Sequence, residues 1–274
     1  MTHLPTRRVS QPRAGRPIRR SSAGLSRTRA LAALAVVLSC LTIYGVGTSP
    51  VFAFHHLDVA GASWTNPADV QALLGVSDGT NLVTLQTDDL AGRLETLPAV
   101  RSADVSVVLP NTIRVRLNER QPILVWQTAS ARFLVDSTAV AFVQLADGAP
   151  VPNGLPTIVD TRISSAISLG STIDPVNFDA ATRLGSLKPA DLGSAANGLI
   201  VTLGDDLGFT VKAVPNLWTA VFGIYTASLR SPSIIPGQVR LLRSLLVGRE
   251  PTVETVILAD EENGTYTTRA SPKP

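Results

Sequence analysis

This sequence predicts an α+β fold hung from one N-terminal membrane helix, and three observations predict it. Residues 30–57 contain no Asp, Glu, Lys or Arg, and the apolar run from 30 to about 47 is long enough for a membrane-crossing helix, which needs ~20 residues or slightly fewer. Residues 52–121 then alternate strand and helix patterns in the order β-α-α-β-β. From 122 to 269, short period-2 runs dominate, broken by two helix-period stretches, which describes a mostly antiparallel β domain with two helices.

Charge orients the membrane segment. Eight arginines (7, 8, 13, 16, 19, 20, 27 and 29) precede it without a carboxylate, while all 21 acidic and the remaining 16 basic residues follow it. The overall +3 and pI of 9.4 therefore describe a basic tail on a mildly acidic body. Positive charge holds its flank in the cytoplasm. The expected organisation is a cytoplasmic tail over 1–29, a transmembrane helix over 30–51 and about 220 residues outside. The competing reading is a cleaved signal peptide, for which Val51-Phe52-Ala53 supplies a small residue. A signal's apolar region usually runs ~7–15 residues, and the 29-residue basic stretch in front argues for an uncleaved anchor. The tail is rich in Arg, Pro and Ser, has little to bury and is expected to be disordered. Its arginines suit anionic lipid, at ~1 kcal/mol each. No aromatic residue is interleaved to stack on bases, so no nucleic-acid partner is expected. Cys40, the only cysteine, sits in the anchor, so the outer part forms no internal disulfide. No period of 20–50 residues marks a repeat array.

The first outer unit opens with FAFHHLDVAG, a strand over 52–61. Asn66-Pro67 starts a helix with a capping side chain and Pro at the first position. Val70, Leu73 and Leu74 make its buried stripe and Gly75 its end. After a turn at Ser77-Asp78-Gly79, Thr87 caps a second helix with Asp88 and Asp89 beside its positive end. Leu90, Leu94 and Leu97 face inward, and Pro98 stops it. A hairpin follows, with Val105 and Val107 on one arm, Ile113, Val115 and Leu117 on the other, and Leu109-Pro110-Asn111 between them. Three strands with two helices on one face give a compact unit of about 70 residues.

These residues resemble a POTRA domain, and in their phrasing the FtsQ/DivIB family of bacterial cell-division proteins. The marks are "FHHLDVAGA", "ADVQALLGV", "GTNLVTL" and "LETLPAVRSADVSVVLPNTIRVRLNERQPILVW". Within the last, Leu97-Pro98, Val100, Leu109-Pro110, Glu119-Arg120, Pro122 and Trp126 fall where the family pattern needs them, and Ala99 stands in place of its usual aromatic residue.

The second outer domain, 122–269, begins with short β runs at 123–126, 133–136 and 140–143. Phe133-Leu134-Val135-Asp136 resembles a family element, although Ser137-Thr138-Ala139 lacks its glycine, and 155–158 resembles its "lP.i" step. Asp174-Pro175 starts a helix with Phe178, Leu184 and Leu187 inward. Strands are expected over 198–203, 209–214 and 217–225. Pro236 opens a helix carrying Val239, Leu242, Leu245 and Leu246, closed by Gly248. The strands 252–259 and 265–269 flank Asn263-Gly264, a strong hairpin signal. The family's "iDlR" element survives only as Val256-Ile257-Leu258-Ala259-Asp260. Residues 270–274 are a tail.

Nothing here reads as catalytic. His3, His55 and His56 are the only histidines, one in the tail and two beside the anchor, so a nucleophile in the body has no base. Neighbouring His55 and His56 on a strand point to opposite faces, which disfavours a shared metal. Asp205-Asp206 and Asp260-Glu261-Glu262 lie in turns, and Asn263-Gly264-Thr265 matches a glycosylation sequon that its turn already explains. No cofactor, metal or small-molecule substrate is expected. The resemblance implies a bitopic, non-enzymatic divisome scaffold at the division septum. Its β domain would engage FtsB/DivIC-like and FtsL-like partners, and its POTRA domain other division proteins. The terminal hairpin leaves a sheet edge for a partner strand, with Val253, Val256, Ile257, Leu258, Thr265, Tyr266 and Thr267 as partner-binding candidates; the alternative is an edge screened by its own charges and tail. A different class, a POTRA-bearing chaperone or secretion factor that binds client β-strands, fits less well because such proteins usually carry several POTRA units or a barrel. A secreted wall hydrolase would need a cleaved anchor and a catalytic constellation.

Overall fold

The computed structural model describes residues 26–163, 165–215 and 218–269. Of the tail expected to be disordered over 1–29, residues 1–25 lie outside that range, while residues 27–29 are instead the first turn of a helix; the tail at 270–274 also lies outside it. The chain divides into two units, Met1–Ser49 and Pro50–Pro274.

In the first unit, α1 (Arg27–Gly47) has 21 residues, so it is about 31 Å long at ~1.5 Å per residue, close to the ~30 Å of a hydrocarbon core. Ser26 caps it, its Oγ accepting from the Arg29 amide at 3.4 Å. The hydroxyls of Ser39 and Thr42 donate to the carbonyls of Ala35 and Leu38, both at 2.8 Å. These two hydroxyls inside the apolar run are thus satisfied by their own helix, as an apolar solvent requires. Among the described residues α1 is the one helix long and apolar enough to cross a membrane. It starts at Arg27 and ends at Gly47, earlier at both ends than the expected 30–51. Pro50 lacks the amide proton a continuing helix needs, and Pro50–Phe52 form a separate 3₁₀ turn.

The second unit holds two sheets. The smaller comprises β1 (His56–Ala60), α2 (Pro67–Leu74), α3 (Thr87–Leu94), β2 (Val100–Val108) and β3 (Thr112–Glu119). Its order is β1-β3-β2, with β3 antiparallel to β2 and parallel to β1. β1 begins later than the strand expected from 52, because Phe54 is spent on packing: it is buried, and its amide and carbonyl bond the turn at Thr80 and Gly79. Asn66 caps α2, accepting from the Ala68 amide at 3.0 Å, and Gly75 ends it in the left-handed region. Thr87 is the first residue of α3 and not its cap; Gln86 holds that position without a side-chain bond. Gly61, at φ +86°, ends β1 where an added Cβ would lie 2.1 Å from the Leu117 carbonyl oxygen, so only glycine fits. Val70, Leu74, Leu90, Leu94, Ile113 and Val115 form the core under the two helices.

The larger sheet comprises β4 (Pro122–Gln127), β5 (Arg132–Asp136), β6 (Ala141–Leu145), β7 (Thr157–Asp160), β8 (Gly198–Gly204), β9 (Gly208–Val214), β10 (Thr219–Gly223), β11 (Val253–Leu258) and β12 (Gly264–Thr268), with α4 (Pro175–Gly185) and α5 (Ile235–Leu246). Its order is β12-β11-β10-β9-β8-β7-β4-β5-β6. Most joints are antiparallel, but β4–β7, β7–β8 and β10–β11 are parallel. Parallel neighbours need a crossover, and α4 and α5 supply it for β7–β8 and β10–β11. Both helices cover one face over a core that includes Trp126, Leu184, Phe209, Trp218, Phe222 and Leu242. A smaller cluster, Ala99, Val125, Leu134 and Phe142, takes the opposite face of β4–β6. On β4 the alternation sends Leu124 and Trp126 to the first core and Val125 to the second. Ala99 precedes β2, so the small side chain at the family's aromatic position joins the smaller unit to the larger sheet. Across β7–β12 the uncovered face carries β-branched residues in register: Val159, Thr202, Thr210, Val221, Ile257 and Thr265 stand opposite one another.

β7 was not expected as a strand. Its four residues are too few to show a period. The strand expected over 217–225 is shorter: β10 ends at Gly223, Tyr225 packs beyond it, and residue 217 lies outside the described range.

Candidate protein-docking surface

Three buried carboxylates, Glu119, Asp136 and Asp160, and the half-buried Glu250 are bound into the fold. Glu119, at the end of β3, accepts three consecutive amides, Ser63, Trp64 and Thr65, at 2.7–2.8 Å. Burial opposes its charge, but the hydrogen bonds from residues 63–65 prevail and hold its carboxyl below the ordinary glutamate range. The next residue, Arg120, donates to Asp136 at 2.7 Å and to the Pro98 carbonyl at 3.0 Å. Asp136 also accepts the amides of Thr138 and Val140 at 2.9 and 3.0 Å. Burial raises its pKa, and these bonds together with Arg120 more than reverse that. Asp160 accepts the Trp126 indole at 3.0 Å and the Arg162 guanidinium at 2.8 and 2.9 Å; burial is again outweighed and the pKa lowered. Glu250 behaves the same way against burial, bound by Ser194, the Ala195 amide and the Trp218 indole. Four ionised, fully engaged carboxylates stiffen the body and leave none of these groups poised to move a proton near neutral pH.

The residues singled out for chemistry are scattered. His55 bonds Asp78 at 2.6 Å, and Asp205 accepts the Ile163 amide at 2.8 Å. Asp260 shapes the terminal turn: it accepts the amides of Glu262 and Asn263 at 2.8 and 2.6 Å and the Asn263 side chain at 2.7 Å. Among the described residues, no group of three or more His, Cys, Asp or Glu is placed to hold a metal ion.

The terminal hairpin is a different surface. β12 lies at one end of the large sheet, paired only with β11 and exposed at every position. Among the described residues no strand borders its outer side. Opposed residues of an antiparallel pair share a face. Thr265 and Thr267 therefore lie beside Ile257 and Thr255 on the uncovered face, and Tyr266 lies beside Val256 on the helix-covered face. Ile257 is 50% and Tyr266 42% exposed.

The structure narrows the candidate set. Val253, Val256 and Leu258 are buried in the main core, because β11 must cover α5 with every inward residue. Their side chains are not available to a partner, which corrects their place on the candidate list. Ile257, Thr265, Tyr266 and Thr267 remain outside. Sequence reasoning missed Arg230 and Gln238, which bond the ends of β10 and β11. A polar Gln on the apolar stripe of α5 was a visible signal; Arg230, in an irregular segment, gave none.

Comparison with known proteins agrees with this architecture. Residues 52–120 match the family model described as POTRA domain, FtsQ-type. The fold and this match define a POTRA-bearing chain with a large second sheet and an apolar N-terminal helix. Its relatives include proteins named cell division protein FtsQ. That of Mycobacteroides abscessus is 31% identical over 46% of this chain and 40% of the relative. That of Agrobacterium fabrum is 33% identical over 35% and 30%. That of Chloroflexus aurantiacus is 24% identical over 89% of this chain and 80% of the relative. The chain thus spans less than half of the first two relatives and most of the third. The resemblance to FtsQ/DivIB-type cell-division proteins, carried in the sequence by the ordered marks from 54 to 126, holds.

Proposed function

We propose that the chain is a non-enzymatic scaffold of the cell-division machinery that crosses the membrane once and works through protein–protein contacts. The observation that carries this reading is the open edge at β12. A partner strand laid along it satisfies backbone donors and acceptors that otherwise face water, and alternate side chains select the partner. Ile257, Thr265 and Thr267 on one face and Tyr266 on the other are the contacts, and tyrosine gives contact area at low conformational-entropy cost. The basic tail lies in the cytoplasm, α1 in the cell membrane, and the body outside, at the division septum. An FtsB/DivIC-like protein adds its strand to β12, an FtsL-like protein accompanies it, and other division proteins meet the POTRA domain.

The test compares the full chain in detergent with a version ending at Ala259, which keeps β11 and its core residues but lacks β12. Purified FtsB/DivIC-like protein from the same cell should bind the full chain and fail to bind the shortened one, with circular dichroism unchanged in type. Equal binding by both would overturn the edge as the docking site. Selective binding of unfolded outer-membrane or secreted strands instead would favour a chaperone or secretion role.

A further inference from the structure

The terminal hairpin hangs on the sheet by a short joint. β10 and β11 share three register pairs, Thr219–Thr255, Ala220–Val256 and Val221–Ile257, against five between β11 and β12. The next position, Phe222 beside Leu258, is where the backbone ladder stops, and both of its carbonyls lie in the interior. Two side chains continue the ladder. Arg230 Nη2 donates to the Phe222 and Leu258 carbonyls, both at 2.6 Å. Gln238 Nε2, on fully buried Gln238 of α5, donates to the same two at 3.3 and 3.2 Å. These donors are themselves fixed. The Tyr225 hydroxyl donates to Gln238 Oε1 at 2.7 Å, and the Arg230 guanidinium lies 5.6 Å from the centre of the Tyr225 ring. The Arg230 amide donates to Thr226 Oγ1 at 3.2 Å, and the Thr226 amide to the Arg230 carbonyl at 2.9 Å.

We infer that Arg230 and Gln238 are positioning residues for partner capture: they splice the β11–β12 hairpin to the end of β10 and hold its outer edge straight for an incoming strand. This rests on the reading of β12 as the docking edge. Neither side chain belongs to that edge. Their contribution is to suppress opening of the hairpin, so that the partner does not have to order it on binding. Charge-assisted bonds to buried carbonyls are among the stronger ones, and Arg230 makes two.

The test uses the full chain in detergent with Arg230→Ala, Arg230→Lys, the control Arg240→Ala on the exposed side of α5, and a variant with β12 scrambled. Hydrogen exchange at 256–258 and 264–268 should quicken about tenfold in Arg230→Ala, with β4, β5, β8 and β9 unchanged. Affinity for purified FtsB/DivIC-like protein should fall about tenfold. Arg230→Lys, which keeps a charged donor, should recover part of both losses, and Arg240→Ala should resemble the parent. Parental hairpin exchange in Arg230→Ala would overturn the inference whatever the binding result. A loosened hairpin with undiminished binding would also overturn it, provided the scrambled variant does not bind. Full binding by the scrambled variant would instead sink the docking-edge reading, with the exchange result still reporting on the splice.

Discussion

The two edges of the large sheet are built to opposite ends. At β6 the edge is closed where the strand begins. Ala141 exchanges hydrogen bonds with the 170–171 segment at 2.9 and 2.7 Å, and Val140 bridges Thr172. Ala141 and Phe142 are buried, and the Trp64 ring meets Phe142 edge-on at 6.4 Å. The turn before β6 is tied through Asp136 to Arg120, just after β3. At β12 none of this happens among the described residues. The strand is short and threonine-rich, and every residue is exposed. An exposed edge is an aggregation hazard that proteins usually cover or charge. One edge of this sheet is covered where its strand begins and the other, among the described residues, is left open, and that contrast makes β12 the place to look for a partner.

The comparison can be broken or sharpened experimentally. The largest effect is expected at the closed edge: Phe142→Ala should cost about 3–5 kcal/mol in denaturant unfolding of the body, as large-to-small changes of buried aromatics do. A loss below 1 kcal/mol would mean that β6 is not a packed edge. Asp136→Asn, which weakens the tie to Arg120, should cost about 1–3 kcal/mol, since it leaves buried donors poorly matched. Acid should act on Asp136 and on the other tied carboxylates together. Asp136, Asp160, Glu119 and Glu250 have lowered folded-state pKa values. Their stabilisation is therefore complete above their ordinary values, 3.8 for Asp and 4.5 for Glu, and is lost as pH falls through the lowered ones. Unfolding free energy should be level from about pH 6 to 8 and decline below about 4.5; a decline already under way at pH 6 would contradict the assigned carboxylates. The smallest effect on stability belongs to the open edge. Tyr266→Ala should change unfolding by no more than about 0.5 kcal/mol while weakening the proposed capture of a partner strand about tenfold or more. A large stability loss at Tyr266 would show that β12 is packed after all and erase the contrast.

Much of this was legible in the sequence because it is local. The apolar run and its flanking arginines identify α1, and Asn66-Pro67 and Asp174-Pro175 cap the helices that follow them. Val105, Ile113, Val115 and Leu117 alternate as a half-buried hairpin must, and Asn263-Gly264 marks the last turn. Helix ends and period-2 strands depend on neighbours within a few residues, and those neighbours are written in order. The same locality explains the errors. Phe54 reads as part of a strand until the Gly79–Thr80 turn claims its backbone, and Val253, Val256 and Leu258 read as edge residues until α5 is laid over them.

The sequence by itself thus determined the apolar N-terminal helix, the POTRA unit and most of the elements that follow it. The tertiary structure decided which strands became neighbours. It placed β7 between β4 and β8, ran β10 parallel to β11, closed the start of β6 with a loop and, among the described residues, left β12 bare. It also gave Arg230 and Gln238 their role, since the two carbonyls they bond come from strands more than thirty residues apart. Strand order depends on contacts between distant segments, whose closure carries an entropic cost and leaves no period in the chain, so that part of the protein became visible only when the sheet was assembled.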